Sequence, residues 1–344
     1  MAGDVNTDEF LLPRAVAATG ATVPVLHDYG RRVRIGLGTP TPAMRAMSGF
    51  AMEPGEPTLS ERLGEQAFSL RQSGDFRKAK AARAHGGRSW GEADGGPEPL
   101  VPVTGLSAPS GGIMGSPPPP SLSDRLAGRI AVGVIIVSGP TPALTVTDEE
   151  QVKIAAEVQN GLTWLASKSP ARDVTWAQHF DALTVDVPDR SSAPHREAYE
   201  APWRDAALAQ LGMPLGMDGA RAYARKLMAD LGADRGFCAF FTKYTLWHFA
   251  YANMGGPRLV MQYGNDGWGP DNIDRVFAHE TCHIFGAPDE YRASNCDCGG
   301  AYGPEGLPNG NCETCAPDGG QPCIMRANDW TMCEYTFRHL GYTI

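Results

Sequence analysis

The stretch AHETCHIFGAPDEY, residues 278–291, decides how this chain is read. His279 and His283 stand four apart, with Glu280 beside the first. In an α-helix, residues four apart lie one above the other on the same face. The spacing therefore predicts two imidazoles projecting to one side, at a separation that a single Zn²⁺ can bridge. Glu280 would then lie beside the metal's water rather than on the metal. Gly286, three residues after His283, suits the left-handed residue that ends a helix. Pro288 stiffens the return of the chain, and Asp289 arrives at the corner as third ligand. Glu290 is adjacent and an equally hard donor, so it competes for that place. A surface helix with fortuitous histidines is the bland alternative. The full spacing His-Glu-x-x-His-x-x-Gly-x-x-Asp argues against it.

The chemistry explains each part of the pattern. Zinc lowers the pKa of its water towards ~7, and a carboxylate within reach accepts the proton. His279, His283 and Asp289 are thus the candidate zinc ligands, and Glu280 the candidate general base.

Residues 279–289 resemble the metzincin zinc-peptidase signature, in the variant with Asp where most members have a third His. Snapalysin-type small neutral proteases share that variant, and the Ala-Pro-Asp-Glu-Tyr continuation is similar to IgA-peptidase-like bacterial proteins. CIMR (323–326) resembles the family's methionine turn, with Met325 thirty-six residues after Asp289. The resemblance covers roughly residues 129–344. It implies an α+β catalytic domain: a mixed twisted sheet with long helices, a zinc helix, the methionine turn and a C-terminal helix. It also implies a zinc-dependent endopeptidase, one chain acting alone on a protein or peptide substrate. PRLVMQYGNDGWG (257–269) resembles the family's edge strand above the cleft, against which substrate backbone pairs. Tyr291 and Tyr335 are placed by the resemblance as donors to an oxyanion, or as packing residues. From a different class, the rival reading is a non-catalytic binding module stabilised by metal and disulfides. Glu280 argues against it, because a purely structural site has no use for a base.

The 344 residues are 42% hydrophobic and 20% charged, enough for at least one sizeable core. No apolar run reaches the roughly eighteen residues a membrane span needs. The formal charge of −9 disfavours a nucleic-acid surface. Residues 1–120 hold twelve Lys/Arg, twelve Asp/Glu, eighteen Gly and fourteen Pro, and no cysteine. That composition, ending in the PPPP run at Pro117–Pro120, predicts a poorly ordered N-terminal extension over residues 1–125: a linker, a tail or a pro-segment. The peptidase-like domain is expected over 126–344. All eight cysteines fall between Cys238 and Cys333, as in proteins of oxidising compartments, although the first residues lack the features of a signal peptide.

Residues 24–38 predict a hairpin turning near Gly30, and 58–72 a helix capped at Ser60; the rest up to Pro120 reads as loop. IAVGVIIVSG (130–139) reads as a strand, followed by a helix capped at Thr147 or Asp148. DVTWAQHF and ALTVDVPD read as an antiparallel pair. Helices over 201–231, broken near 212–216, precede three strands in 236–264 and a helix over about 271–285. Cys296, Cys298, Cys312 and Cys315 could build a second zinc site; better, these four with Cys323 and Cys333 form disulfides clamping a loop, in any of fifteen pairings, with Cys323 anchoring the turn at Met325. Cys238 and Cys282 are expected to face each other across sheet and helix. His248 is expected on a strand and His339 on the last helix. Asn265 and Asp266 offer a calcium site or merely a turn.

Overall fold

The computed structural model describes residues 9–12, 24–30, 32–38, 56–92 and 122–343, apart from the Asp266 side chain. The Pro117–Pro120 run lies outside the described residues.

Strand β4 (Arg129–Ser138) is buried from Ile130 onward, so its apolar run needs cover on both faces. Its neighbours β5 (Thr175–Thr184) and β6 (Arg235–Thr242) pair with it in parallel. Five further strands are β1 (Glu9–Leu11), β2 (Val25–Asp28), β3 (Arg34–Leu37), β7 (Ala250–Ala252) and β8 (Arg258–Gln262). The eight described strands form one sheet in the order β1-β3-β2-β5-β4-β6-β8-β7. β2 and β8 also run parallel to their inner neighbours, while β1, β3 and β7 are antiparallel, so the sheet is mixed.

Side chains alternate along β4. Ile130, Val132, Val134 and Ile136 face a layer holding α1 (Leu59–Gln72), α3 (Asp148–Ser167) and α6 (Ile273–Ile284). Ala131, Ile135 and Val137 face α4 (Arg196–Gln210) and α5 (Gly216–Leu231). Gly133 is where α5 comes closest: a Cβ there would lie 2.4 Å from the Tyr223 ring. Two shorter helices, α2 (Gly74–Ala81) and α7 (Glu334–His339), complete the set described.

Several expectations change on the fold. The helix at 59–72 is capped by Thr58, not Ser60: Thr58 and Glu61 form a reciprocal capping box, and the Ser60 hydroxyl donates nothing to the cap but accepts from Phe180 N–H at 2.9 Å. DVTWAQHF and ALTVDVPD are not an antiparallel pair. Asp181 between them makes no turn but pairs with Ile135, and Thr175–Thr184 runs as one strand in continuous parallel register with β4. The edge strand is β7 rather than PRLVMQYG, because β8 is covered on its outer side by β7.

The largest change concerns residues 1–125, which are not an appendage where they are described. The expected hairpin forms, and β2 adds to the sheet beside β5. Arg71 of α1 is fully buried and pairs with Glu9 of β1 at 2.7 Å, with Gln159 and Asn160 of α3 within 3.4 Å. The stretch after it, expected as loop, contains α2, whose Lys80 ion-pairs with Glu157 of α3 and, at 3.0 Å, with Asp274 of α6. Arg83 adds a second cation to Asp274 at 3.0 Å, and Asn160 donates to it at 2.7 Å. Burial alone would raise the Asp274 pKa, but Lys80 and Arg83 outweigh it and hold the carboxyl below the ordinary range. Composition misled here because an average over 120 residues hides where the apolar and charged residues of 56–92 fall.

These contacts set an expected outcome. Lys80→Met removes a cation from two buried carboxylates and should cost ~3–5 kcal/mol of unfolding free energy in a denaturant titration. A chain beginning at Ser121 loses Lys80 and Arg83 together with three strands, and should aggregate or melt far below the full chain. A truncated chain that stays monomeric with the full chain's thermal midpoint would show that residues 1–120 are dispensable after all.

Candidate metal centre

Helix α6 is fixed at both ends before its histidines do anything. At the start, Asp274 is held as above, and its backbone carbonyl lies so close to Gly161 of α3 that a Cβ there would be 2.6 Å away. At the other end Gly286 takes a positive φ of 91°, and Gly286 and Ala287 N–H groups bond back to the His283 and Cys282 carbonyls. The chain reverses there as the sequence predicted.

The reversal brings the Ala287 carbonyl to His283 Nδ1 at 2.7 Å, while the Ile324 carbonyl meets His279 Nδ1 at 2.9 Å. A carbonyl only accepts, so each Nδ1 carries the proton and each Nε2 presents its lone pair. Both Nε2 atoms lie 3.2 Å from Asp289 Oδ1. Two imidazole nitrogens and a carboxylate oxygen thus converge on one point, where only a proton or a cation can sit between them. Such a set is repulsive unless positive charge sits among the three atoms. The donor set, two imidazoles and a carboxylate, suits zinc. Without a metal, a proton on His283 meets that need. Burial acts to lower the His283 pKa, yet the Asp289 and Glu280 carboxylates outweigh it and push it up to about 9.

Glu280 is buried beside the histidines, and its Oε2 has no partner among the described residues. Burial foremost raises its pKa. This carboxylate is close to the three donors without being one of them.

Glu290 points the other way. Its Oε1 accepts from Thr336 Oγ1 at 2.8 Å and Cys333 Sγ at 3.0 Å, and its Oε2 from Asn311 Nδ2 at 2.6 Å. Its N–H donates to the Met325 carbonyl at 2.9 Å. Glu290 therefore ties the Asp289 corner to the turn at Cys323–Arg326, the cysteine loop and α7, and its oxygens are already engaged. Met325 is fully buried at the centre of that turn.

The cysteines divide. Cys296–Cys312 and Cys298–Cys315 are disulfides that clamp the loop between Asp289 and Met325, which leaves no thiolates there for a second zinc. Cys238, Cys282, Cys323 and Cys333 are buried free thiols. Cys323 is bonded to Thr336 at 3.3 Å rather than disulfide-linked. Burial pushes the Cys238 thiol up to about 12 and that of Cys282 higher still, so neither is a nucleophile. They also do not face each other: Cys238 belongs to the α4–α5 side of the sheet and Cys282 to the other. Tyr291 stands 6.5 Å from the His279 ring, and Tyr335 packs over Gly310. His339 is on α7 and bonds Pro308 O. Asn265 Nδ2 donates to Gly269 O within a turn.

Sequence reasoning missed Trp90, whose ring packs 5.3 Å from that of His279. The only signal was that it is the sole tryptophan in residues 1–120. It also missed the Ile324 and Ala287 carbonyls, which being backbone leave no mark on the sequence.

No protein-family profile matches the sequence, and no curated protein does. Solved structures similar to it include a zinc-dependent peptidase from Methanocorpusculum labreanum, 13% identical, with a TM-score of 0.31 over 60% of this chain and 99% of that one. Metalloproteinase-II from Bacteroides fragilis is 11% identical, with a TM-score of 0.28 over 67% of this chain and 60% of that one. At such scores neither likeness carries the functional reading, which rests on the side chains.

Glu290→Gln sets an amide NH₂ against a ring of donors. Each charge-assisted bond lost is worth ~1.5–3 kcal/mol, so the variant should unfold at clearly lower denaturant concentration. Unchanged stability would mean that Glu290 does not tie the four segments together.

Proposed function

We propose that this protein is a zinc-dependent endopeptidase of the metzincin type, with His279, His283 and Asp289 as metal ligands. The observation that carries this is the convergence of two imidazole nitrogens and a carboxylate oxygen beside a buried carboxylate with an unengaged oxygen. A zinc ion held there would supply Lewis acidity and a water of lowered pKa.

The chain's own residues do the rest. Glu280 Oε2 accepts the proton of the attacking water and later delivers it to the leaving amine nitrogen. The Ile324 and Ala287 carbonyls keep both imidazoles in one tautomer throughout. Substrate has an open sheet edge to pair with, since β7 has no outer neighbour among the described strands. That edge is close to the histidines: just past β7, Gly255 N–H donates to the His283 carbonyl at 3.0 Å. Met325 forms the floor of the site, and an extended peptide is the substrate class such an edge admits.

Purified protein should contain about one zinc per chain, and hydrolysis of denatured casein should stop with a chelator. Glu280→Gln keeps the shape and removes the proton acceptor, so zinc should stay while hydrolysis falls at least ~100-fold. Asp289→Ala should lose the metal. A protein that takes up no zinc, or a Glu280→Gln variant with near-normal turnover, would overturn the proposal.

A further inference from the structure

His279 is held by more than its own hydrogen bond. The Ile324 carbonyl that accepts from its Nδ1 accepts a second bond, 2.6 Å long, from the indole Nε1 of Trp90. A carbonyl oxygen has two lone pairs, and both are now used. The indole ring also lies against the imidazole, with centroids 5.3 Å apart and planes inclined at 59°. Trp268 backs the indole at 5.0 Å. Trp90 is itself 8% exposed, so water has little access to this pair of bonds.

Trp90 is delivered by backbone pairing. Residues 87–90 run antiparallel to 326–328: Gly87 N–H donates to Asn328 O at 2.8 Å, Asn328 N–H to Arg88 O at 2.9 Å, and Trp90 N–H to Arg326 O at 3.2 Å. Ser89 and Ala327 form the bridge between them. The N-terminal segment thus acts as an added strand on the turn that contains Met325, and places one side chain against a ligand candidate more than 180 residues away.

We infer that Trp90 is a positioning residue for the metal site, acting through the Ile324 carbonyl and the face of His279. Its N–H fixes the direction of the carbonyl, and the carbonyl fixes the Nδ1–H tautomer and the tilt of the imidazole. Its ring blocks the rotation that would turn Nε2 away from Asp289 and His283. Outer partners of metal-binding histidines typically contribute ~10–100-fold in metal affinity, and two partners of one carbonyl act as a unit. The inference rests on the proposed zinc site and deepens it.

The test uses the full chain and zinc alone. Trp90→Phe keeps an aromatic ring and removes the N–H, and zinc affinity is read by competition with a chromophoric chelator. We expect affinity at least ~10-fold weaker than wild type, with a changed visible spectrum when Co²⁺ replaces zinc. A merely structural tryptophan would lower the stability of the metal-free protein and leave the affinity of the folded fraction and the Co²⁺ spectrum as they were, which would overturn the inference. Should Trp90→Phe not fold, the wild-type ¹H–¹⁵N spectrum decides. The Trp90 indole resonance should shift on adding zinc, and an unmoved resonance counts against the inference. A wild-type chain that binds no zinc brings down the metal site and this inference together. Wild-type binding with an unchanged variant brings down this inference alone.

Discussion

The carboxylate of Asp274 is the point on which the rest of the structure depends. It sits in the first turn of α6, fully buried, where an anion is favoured by the helix N-terminus but needs cations to be tolerated. Lys80 and Arg83 come to it from the N-terminal third of the chain, and Asn160 from α3. Buried ion pairs contribute little net stability compared with apolar packing, but they are costly to break and hence specific about position. That specificity matters here because α6 carries His279, Glu280 and His283. A helix free to slide or rotate by one residue on α3 would carry both imidazoles off the Asp289 corner.

This dependence explains why the site was easier to read than the fold. Metal-ligand spacing is local: two histidines four apart on a helix, a glycine to end it and an acid after the turn are all within eleven residues, 279–289. The structure brings the side chains of His279, His283 and Asp289 together, with Glu280 buried beside them. The parts that were misread are those whose reason lies elsewhere in the chain. Ser60 looks like a cap until Thr58 is seen to pair with Glu61. The stretch 175–184 looks like two strands until a ten-residue partner is set beside it. Lys80 and Arg83 look like solvated charges in a loop-like region, because nothing near them in sequence shows the two buried carboxylates that they meet.

Asp289 and Glu290 show how one backbone feature separates two like residues. Successive side chains of an extended chain point to opposite sides. Sequence spacing favours Asp289 but leaves Glu290 as a competitor. Once the chain has reversed at Gly286, Asp289 faces the imidazoles and Glu290 faces Thr336, Cys333 and Asn311. The second carboxylate then stabilises the position of the first. Glu290 N–H holds the Met325 carbonyl, and the carbonyl one residue earlier, at Ile324, holds His279. The acid that is not a ligand candidate thus reaches the site through the main chain of the turn.

The same turn is where the two ends of the chain meet. Residues 323–328 receive α7 through Cys323 and Thr336, the ligand corner through Glu290, and the strand 87–90 through three backbone bonds. Each contact restrains a different freedom of one carbonyl, and the carbonyl restrains one imidazole. A helix and a spacing motif can place a histidine to within a rotamer, but a metal site needs the ring nitrogen within about half an ångström. Supplying that last restraint from distant segments accounts for a buried tryptophan in the N-terminal third of the chain. It also accounts for a centre whose candidate ligands lie within eleven residues while its supports span residues 80–336.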